Sequence, residues 1–491
     1  MSVPPKYREM GDFHEYYSGA RRAPYLTLFI GGNHEAAGHL WELYHGGWVA
    51  PDIYYLGAAN VVRLGPLRIA GLSGIWKGAD YRRPHHERLP FGADDVKSFY
   101  HVRELDVRRL LQLRTQVDVG LSHDWPRAVE RHGDEAYLFR KKPAFRTESL
   151  DGTLGSPAAE YVMDRLRPPY WFSAHMHCKF SAIKTYDPPS GTTTDGVPAQ
   201  GGSTEATGTS AAPQPAANPD EIDLDMDDDD DSGGGVEVPP KQPAPSTVDG
   251  VSADVLAELP ASFARPKSPQ ERTVPGQPVP QTIPNTTVRF LALDKCLPGR
   301  GFLQLCEIAP FDPAELAKHP PVQTSPSPRY RLQYDPEWLA ITRVFAKELV
   351  IGDRAAQTAP DRGEAHYRPL IDAERAWVEE NIVAKGKLDV PYNFSLTAPP
   401  YAGEPEESGQ PDEYTNPQTE AFCGLVGVEN LWAASEEERA ERKKRGPPPS
   451  EFRGGRGGGG GYRGGGGRGG GGGRGGRGHR WGGRGRVRGR G

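Results

Sequence analysis

Four histidines and one asparagine stand where short apolar runs of this chain end. Asn33 and His34 follow residues 25–30 through two glycines, His123 follows residues 117–122, and His175 and His177 follow residues 170–174. Imidazole nitrogens and amide oxygens are suitable ligands for divalent Zn, Fe or Mn, and an imidazole can also exchange a proton near neutral pH. Polar residues on loops at strand ends are the usual functional positions of an α/β fold. The set therefore predicts a metal site.

Each of these strings also has a purely structural interpretation. The glycine pair fits an ordinary turn, and His123 fits a capped surface turn. The HMH string favours a metal more strongly, because in an extended chain His175 and His177 would point to one side while Met176 faced the core. Cys178 would alternate away from both histidines, into the core. The three strings together favour the metal interpretation.

The elements that would position these residues alternate between strands and helices, which predicts an α/β layered fold. The predicted strands are residues 25–30, 53–56, 61–64, 67–72, 117–122, 170–174, 287–293 and 301–308, and the predicted helices are 39–45, 102–113 and 334–345.

Composition divides the 491 residues into four segments. Residues 1–185 form a first folded block. Residues 186–285, rich in Pro, Ser, Gly and Asp, are too poor in apolar side chains to offset the entropy of ordering and are predicted to be disordered. Residues 286–432 form a smaller α+β block. Residues 433–491 contain a charged helix at 436–445 and a disordered Arg/Gly-rich tail.

The net charge of -6 hides strong segregation. Residues 220–231 are nearly all acidic, whereas residues 452–491 hold eleven arginines and no acid. Arginine pairs with phosphates and stacks on bases, so the tail is predicted to bind RNA, with a solubilising role as the alternative. The four cysteines are too scattered for a disulfide framework, which indicates a reducing compartment. No apolar run approaches the ~18 residues of a membrane span, and no membrane partner is expected.

Longer strings resemble the RNA lariat debranching enzymes, a family of calcineurin-like metallophosphoesterases. They include MGDFHEYYSG, LTLFIGGNHEA and LSHDWPR in the first block, and FLALDKCLPGRGFLQL with LQYDPEWLAITR in the second. The resemblance covers about residues 1–182 and 286–432. It implies a layered β-sandwich flanked by helices, with a smaller C-terminal domain. It also implies hydrolysis of the 2′,5′-phosphodiester at the branch point of excised intron lariats in the nucleus, with branched RNA, and not DNA, as the partner.

The resemblance further implies roles for the residues already singled out. A two-metal site of Fe, Zn or Mn would be held in part by Asn33, His123 and His175, with His177 at the second position. His34 would protonate the leaving oxygen, and Glu35 would orient its neighbours.

A polar segment at residues 73–88 lies where the family has a loop that recognises the lariat. Its cations would neutralise phosphates and its rings would stack on unpaired bases. An ordinary solvated loop is the alternative for each residue. The candidates are Tyr81, Arg82, Arg83, His85 and Arg88.

The same resemblance implies metal ligands upstream of Met1. The family's site begins with a strand that ends in Cys- or Asp-x-His, and a second that ends in Gly-Asp, whose aspartate bridges the metals. The string GDFH imitates the second, but no apolar strand precedes it, so Asp12 and His14 are rejected. An N-terminally truncated fold is therefore expected, from an incomplete sequence in preference to an inactive divergent protein. These 491 residues alone are expected to have little activity, which an upstream segment with the missing ligands should restore. A catalytically impaired RNA-binding protein is the alternative function, and a protein phosphatase is disfavoured.

Overall fold

The computed structural model describes residues 11–187, 274–323, 329–403 and 409–449, which belong to one compact unit. Nearly all of the insert predicted at residues 186–285 lies outside the described residues. The Arg/Gly-rich tail from residue 450 also lies outside them.

Ten strands of the described residues form two sheets. The smaller sheet has the order β1-β3-β2, and the larger has the order β10-β4-β5-β6-β7-β9-β8. The strands are β1 Thr27–Phe29, β2 Gly47–Ala50, β3 Ile53–Tyr55, β4 Ala59–Leu64, β5 Leu67–Leu72, β6 Val119–Ser122, β7 Tyr170–Ser173, β8 Phe180–Thr185, β9 Thr287–Ala292 and β10 Leu332–Tyr334.

Helices pack around these sheets and connect their strands. They are α1 Phe13–Tyr17, α2 Ala37–Trp41, α3 Gly78–Tyr81, α4 Ala93–Ser98, α5 Glu104–Leu111, α6 Glu135–Lys141, α7 Ala144–Asp151, α8 Pro157–Leu166, α9 Ala314–Lys318, α10 Pro336–Phe345, α11 Glu364–Val378, α12 Pro417–Val426 and α13 Glu436–Arg445, with a 3-10 turn at Val129–His132 and a π turn at Glu379–Val383.

Three helices begin at a polar cap followed directly by proline. Ser156 accepts a hydrogen bond from the backbone N–H of Ala159 at 3.1 Å, and Asp335 accepts one from Trp338 at 3.0 Å. Asn416 caps α12 in the same way. Proline suits the first helical position because its missing N–H would have no partner there. Local sequence therefore fixes where α8, α10 and α12 start.

The two sheets enclose an apolar layer, which confirms the expected α/β sandwich. Trp48 and Tyr54 of the smaller sheet pack with Val62 and Ile69 of the larger one in one buried cluster. The opposite face of the larger sheet is covered by helices whose apolar side chains form the main core. Strands β4 and β5 are mostly buried, as is usual for strands that are covered on both faces.

Strands β5, β6, β7 and β9 run parallel, so their carboxyl ends reach the same edge of the larger sheet. Strand β9 lies between β7 and β8, and β10 pairs with β4 at the far edge. Strands from both folded blocks, before and after the insert, thus share one sheet.

The strand predicted at residues 301–308 is wrong. These residues form no regular element, and Leu303 and Leu305 are 69% and 87% exposed. Both edges of β9 are already paired, with β7 and β8, so a following strand has no place beside it. Sequence analysis also missed β2, β8 and β10, and the helix predicted at 39–45 is the shorter α2.

Arg68 at the start of β5 is buried against two carboxylates of α10 and its cap. Its Nε and Nη2 donate to Asp335 at 2.9 Å each, and Nη2 also lies 3.1 Å from Glu337. Burial alone would raise the pKa of Asp335, but Arg68 outweighs burial and holds that pKa below its ordinary value. These ion pairs join the larger sheet to the second folded block, residues 286–432.

We expect Asp335→Ala to lower the free energy of unfolding by about 3–5 kcal/mol, because the buried Arg68 would keep only Glu337 as a carboxylate partner and α10 would lose its cap. Urea denaturation measures the loss. The matched control is Asp389→Ala, whose pair with Arg331 is about half exposed on both sides and should contribute only ~0–1 kcal/mol. Equal losses in the two variants would contradict this interpretation.

A buried histidine should make the fold sensitive to acid. The His45 ring lies 4.9 Å from that of Phe422 and 5.2 Å from that of Trp432. Burial, aided by Arg109 and opposed by Asp106, lowers the pKa of His45 to about 3. The unfolded chain has a histidine pKa of about 6.5, so as pH falls below that value the unfolded state takes up a proton that the folded state refuses. The free energy of unfolding must then decrease as the pH decreases. This residue contributes at most about 1.4 kcal/mol per pH unit to that decrease.

We predict that His45→Phe flattens the dependence of unfolding free energy on pH between about pH 6 and pH 4. Chemical denaturation at a series of pH values measures the slope. His366 is exposed on α11, and His366→Phe serves as the control that should leave the slope unchanged. An unchanged slope in His45→Phe would show that this ring is not the source.

Candidate metal centre

Gly32 lies directly against the ring of His123. A methyl group at position 32 would be 2.5 Å from His123 Cε1 and 2.8 Å from each ring nitrogen. Neither glycine that follows β1 has a positive φ. The glycine is therefore required by the close approach of the imidazole, and not by a left-handed turn.

Asn33 and His123 meet across ninety residues of sequence. Asn33 is 4% exposed, and its Oδ1 lies 3.1 Å from His123 Nε2. The His175 ring lies 4.9 Å from that of His123. Burial lowers the pKa of His123 to about 3, with smaller contributions in the same direction from the charges of His175, His34 and His177. Asn33, His123 and His175 thus lie together, and His34 and His177 are near enough to act on the His123 ring, which stays in the neutral form that binds metals.

The chain turns sharply at the HMH string, so the extended conformation predicted there is wrong. His175 and His177 have φ values of 58° and 48°, and the backbone N–H of Met176 donates to Ala174 at 2.7 Å. Left-handed backbone costs a non-glycine residue of order 1 kcal/mol and is concentrated at functional sites. Met176 packs against the main core and Cys178 is buried, as predicted.

Asp124 is a member of this site that sequence analysis missed. Its Oδ1 lies 3.4 Å from His175 Nε2, and its Oδ2 accepts the backbone N–H of Trp76 at 2.6 Å. Burial raises the pKa of Asp124, although His175 acts in the opposite direction. A buried carboxylate in contact with an imidazole fixes the orientation of the ring. The available signal was its position directly after His123 in the string SHD.

The contacts of Glu35 and of Asp12, in the rejected GDFH string, show what each carboxylate does. The Glu35 carboxylate accepts the backbone N–H of Gly32 at 3.0 Å, so it holds the turn that carries Asn33. Asp12 instead forms an exposed ion pair with Arg21 at 2.8 Å. The contact of Glu35 accords with the orienting role predicted for it.

Two of the predicted RNA-binding residues make interior contacts. Tyr81 packs against the main core, with its ring 4.7 Å from that of Trp76. His85 Nε2 lies 2.6 Å from Asp106, which also accepts the hydroxyl of Tyr44 at 2.5 Å. Both side chains therefore help to position the segment at residues 73–88, and RNA contact by them stays a prediction.

The arginines of the same segment differ in their surroundings. Arg88 binds Glu413 at 2.9 Å and lies over the ring of Trp41, which ties the segment to the C-terminal part of the chain. Arg83 pairs with Asp80 at 3.3 Å. The side chain of Arg82 is 88% exposed, which is the arrangement that a phosphate contact requires.

The donor set suits a divalent ion. Among the described residues, no three His, Cys, Asp or Glu side chains are grouped as a complete metal site, so the candidate set depends on the amide oxygen of Asn33. Neutral imidazoles with an amide oxygen match the preferences of Zn, Fe and Mn. No helix in the described ranges is both long and apolar enough to cross a membrane.

A two-sheet α/β sandwich that collects imidazoles and an amide at the ends of its strands is of the metallophosphoesterase-like class. Residues 285–431 match the family model described as the lariat debranching enzyme C-terminal domain. The chain is 37% identical over 429 residues to the lariat debranching enzyme of Schizosaccharomyces pombe, covering 87% of this chain and 86% of that protein. The chain belongs to the lariat debranching enzyme family.

Animal relatives agree with this assignment. The human lariat debranching enzyme is 35% identical over 433 residues, which are 88% of this chain and 60% of the human protein. The Drosophila melanogaster enzyme is 36% identical over 440 residues, which are 88% of this chain and 68% of that protein.

We predict that Gly32→Ala displaces the His123 ring and weakens Mn²⁺ binding about 10–100-fold, the usual effect of disturbing the residues that orient a ligand. Isothermal titration calorimetry measures the affinity. Gly31→Ala is the matched control, because a methyl group there would meet Leu40 and Tyr55 at ordinary distances of 3.4–3.5 Å. Equal Mn²⁺ affinities for the two variants would contradict the proposed steric role.

Proposed function

We propose that this chain hydrolyses the 2′,5′-phosphodiester at the branch point of excised intron lariats, in a metal-dependent reaction in the nucleus. Membership of the lariat debranching enzyme family supports a debranching role. The observation that carries the chemistry is the meeting of Asn33 with His123 at 3.1 Å, beside His175.

Three side chains would hold one ion, namely Asn33, His123 and His175, and His177 would serve a second. Such ions, Fe, Zn or Mn, would polarise the phosphate and supply a hydroxide when bound. The chain's own part is to hold these ligands rigidly. Asn33 is buried, and Asp124 and Glu35 fix the neighbouring ring and turn.

His34 is assigned the proton transfer. It is partly exposed and lies close enough to His123 for its charge to lower the pKa of that ring. An imidazole at this position can donate a proton to the ribose oxygen that leaves the phosphorus, which typically contributes ~10²–10⁴-fold to the rate. The four histidines are all partly exposed, so substrate can reach them, whereas Asn33 is buried.

The Arg/Gly-rich tail, which lies outside the described residues, is assigned a second contact with RNA. Its eleven arginines without an acid suit binding to phosphates and bases of any sequence. Branched RNA would therefore engage both the folded unit and the tail.

The test is cleavage of a synthetic branched RNA, with Mn²⁺, Fe²⁺ or Zn²⁺ supplied in turn, compared with a linear 3′,5′ RNA of the same sequence. We expect the cleavage that the chain performs to be confined to the branch, with a ~10²–10⁴-fold lower rate for His34→Ala. His366→Ala replaces an exposed histidine of α11 and should retain full activity.

A second outcome would favour the alternative of a catalytically impaired RNA-binding protein. In that case the chain would bind branched RNA but cleave it with none of the three metals. Equal cleavage of branched and linear RNA would contradict the proposed specificity.

A further inference from the structure

A fully buried arginine joins the two ends of residues 80–87, which we refer to as the arginine loop. The side chain of Arg103 is 0% exposed. Its Nη1 donates to the backbone carbonyl of Asp80 at 2.7 Å, and its Nη2 donates to Oε1 of Glu87 at 2.5 Å. One guanidinium group therefore holds both the first and the last residue of the loop.

The contact of Arg103 with Glu87 is a buried ion pair. Glu87 is 1% exposed, and its Oε1 also accepts the hydroxyl of Ser98 at 2.5 Å. Burial alone would raise the pKa of Glu87, but the positive charge of Arg103 outweighs burial and holds that pKa below its ordinary value. Such a pair resists separation, because moving one partner away would leave the other charged and buried.

Two residues next to Arg103 in sequence hold the same segment. His101 Nδ1 lies 2.6 Å from one carboxylate oxygen of Asp80. The backbone N–H of Val102 donates to the carbonyl of Ile75 at 2.9 Å. The three residues that precede α5 therefore fix the segment both where it leaves the sheet and at the two ends of the arginine loop.

The arginine loop carries two cations that reach solvent. The side chain of Arg82 is 88% exposed and lies 3.9 Å from the carboxylate of Glu104. Arg83 is one-third exposed, and its Nη1 donates to Asp80 at 3.3 Å. Asp80 is itself held by Arg103, so the buried guanidinium acts on Arg83 through one intermediate residue. A loop that is already ordered loses less entropy when its long side chains bind a ligand.

We propose that Arg103 is a positioning residue, which holds the arginine loop in the shape that presents its two exposed cations to the phosphates of branched RNA. This inference rests on the proposed function, since it takes the segment at residues 73–88 as an RNA contact. Arg103 is buried and would not touch the RNA. A lysine could not replace it, because an ammonium group is a compact point charge, whereas the planar guanidinium donates in several fixed directions at once.

The test compares R103K with R165K in the full chain, with a chelator present so that binding is measured without cleavage. Arg165 is the matched control, because its side chain is also 0% exposed. Its hydrogen bonds go to residues outside the segment at 73–88, namely Leu113, Gly276, Pro278 and Glu364. Fluorescence anisotropy gives the affinity for branched RNA between about 50 and 200 mM salt. We expect R103K to weaken binding and R165K to leave it unchanged.

A double-mutant cycle separates positioning from a general loss of stability. Each phosphate contact with a single strand contributes about 0.7 to the slope of log K against log salt, so R82Q/R83Q should reduce the slope by about 1.4. R103K should reduce the slope in the same direction. In the R82Q/R83Q background R103K should reduce it no further, because the contacts that Arg103 positions are already absent. A purely structural residue would weaken binding equally in both backgrounds.

A milder variant keeps the test decisive if R103K does not fold. S98A removes the hydroxyl that binds the same oxygen of Glu87 as Arg103 does, and it should cause a smaller loss that also disappears in the R82Q/R83Q background. Thermal unfolding shows which variants are folded. Isothermal titration calorimetry with Mn²⁺ should give the same affinity for R103K as for the unaltered chain, since Arg103 donates to none of the candidate ligands.

Three results would overturn the proposal. They are an unchanged salt slope in R103K or in R82Q/R83Q, an additive loss when these substitutions are combined, and an equal loss of RNA affinity in R165K. A loss of Mn²⁺ affinity in R103K would also overturn it, because the effect would then lie in the candidate metal centre. Failure of the proposed function is distinct, since it would appear as absent cleavage by the unaltered chain with metal supplied.

Discussion

The parallel pairing of β6 with β7 is the constraint on which the candidate site depends. Leu121 pairs with Phe172, so the residues that follow both strands emerge at the same level. The next backbone contact is the N–H of Ala174 to the carbonyl of His123 at 3.1 Å. Because this register is fixed by a buried sheet, a slip of one residue would turn every apolar side chain of β7 to the wrong face. The separation of the two imidazole rings is therefore set by the core.

The sequence could predict that His123 and His175 lie close together, but not the backbone conformation or the packing that brings them together. Apolar runs that end in polar residues located β6 and β7, and with them His123 and His175, because strand ends converge in parallel sheets. The left-handed backbone at His175 and the contact of Gly32 with His123 arise from tertiary packing, which no local pattern records. The short strands β2, β8 and β10 were missed for a similar reason, since their partners come from elsewhere in the chain.

The C-terminal segment, residues 286–432, is an integral part of the folded core. It supplies β9 beside β7, and through Asp335 and Glu337 it neutralises Arg68 within the larger sheet. Removing a cation and two carboxylates from water is costly, and the cost is recovered only when all three are in place. Such a network favours a single arrangement of α10 against β5 over other compact ones.

Asp124 makes the two sides of the candidate site depend on each other. One carboxylate oxygen lies beside His175, and the other accepts the N–H of Trp76, at the start of the segment predicted to recognise RNA. The same segment is joined to the β1 turn, because the N–H of Gly74 donates to the carbonyl of Gly31 at 2.8 Å. A shift of this segment would therefore alter the orientation of His175 and the turn that carries Asn33. The position of this segment and the geometry of the candidate ligands therefore cannot vary independently in this fold.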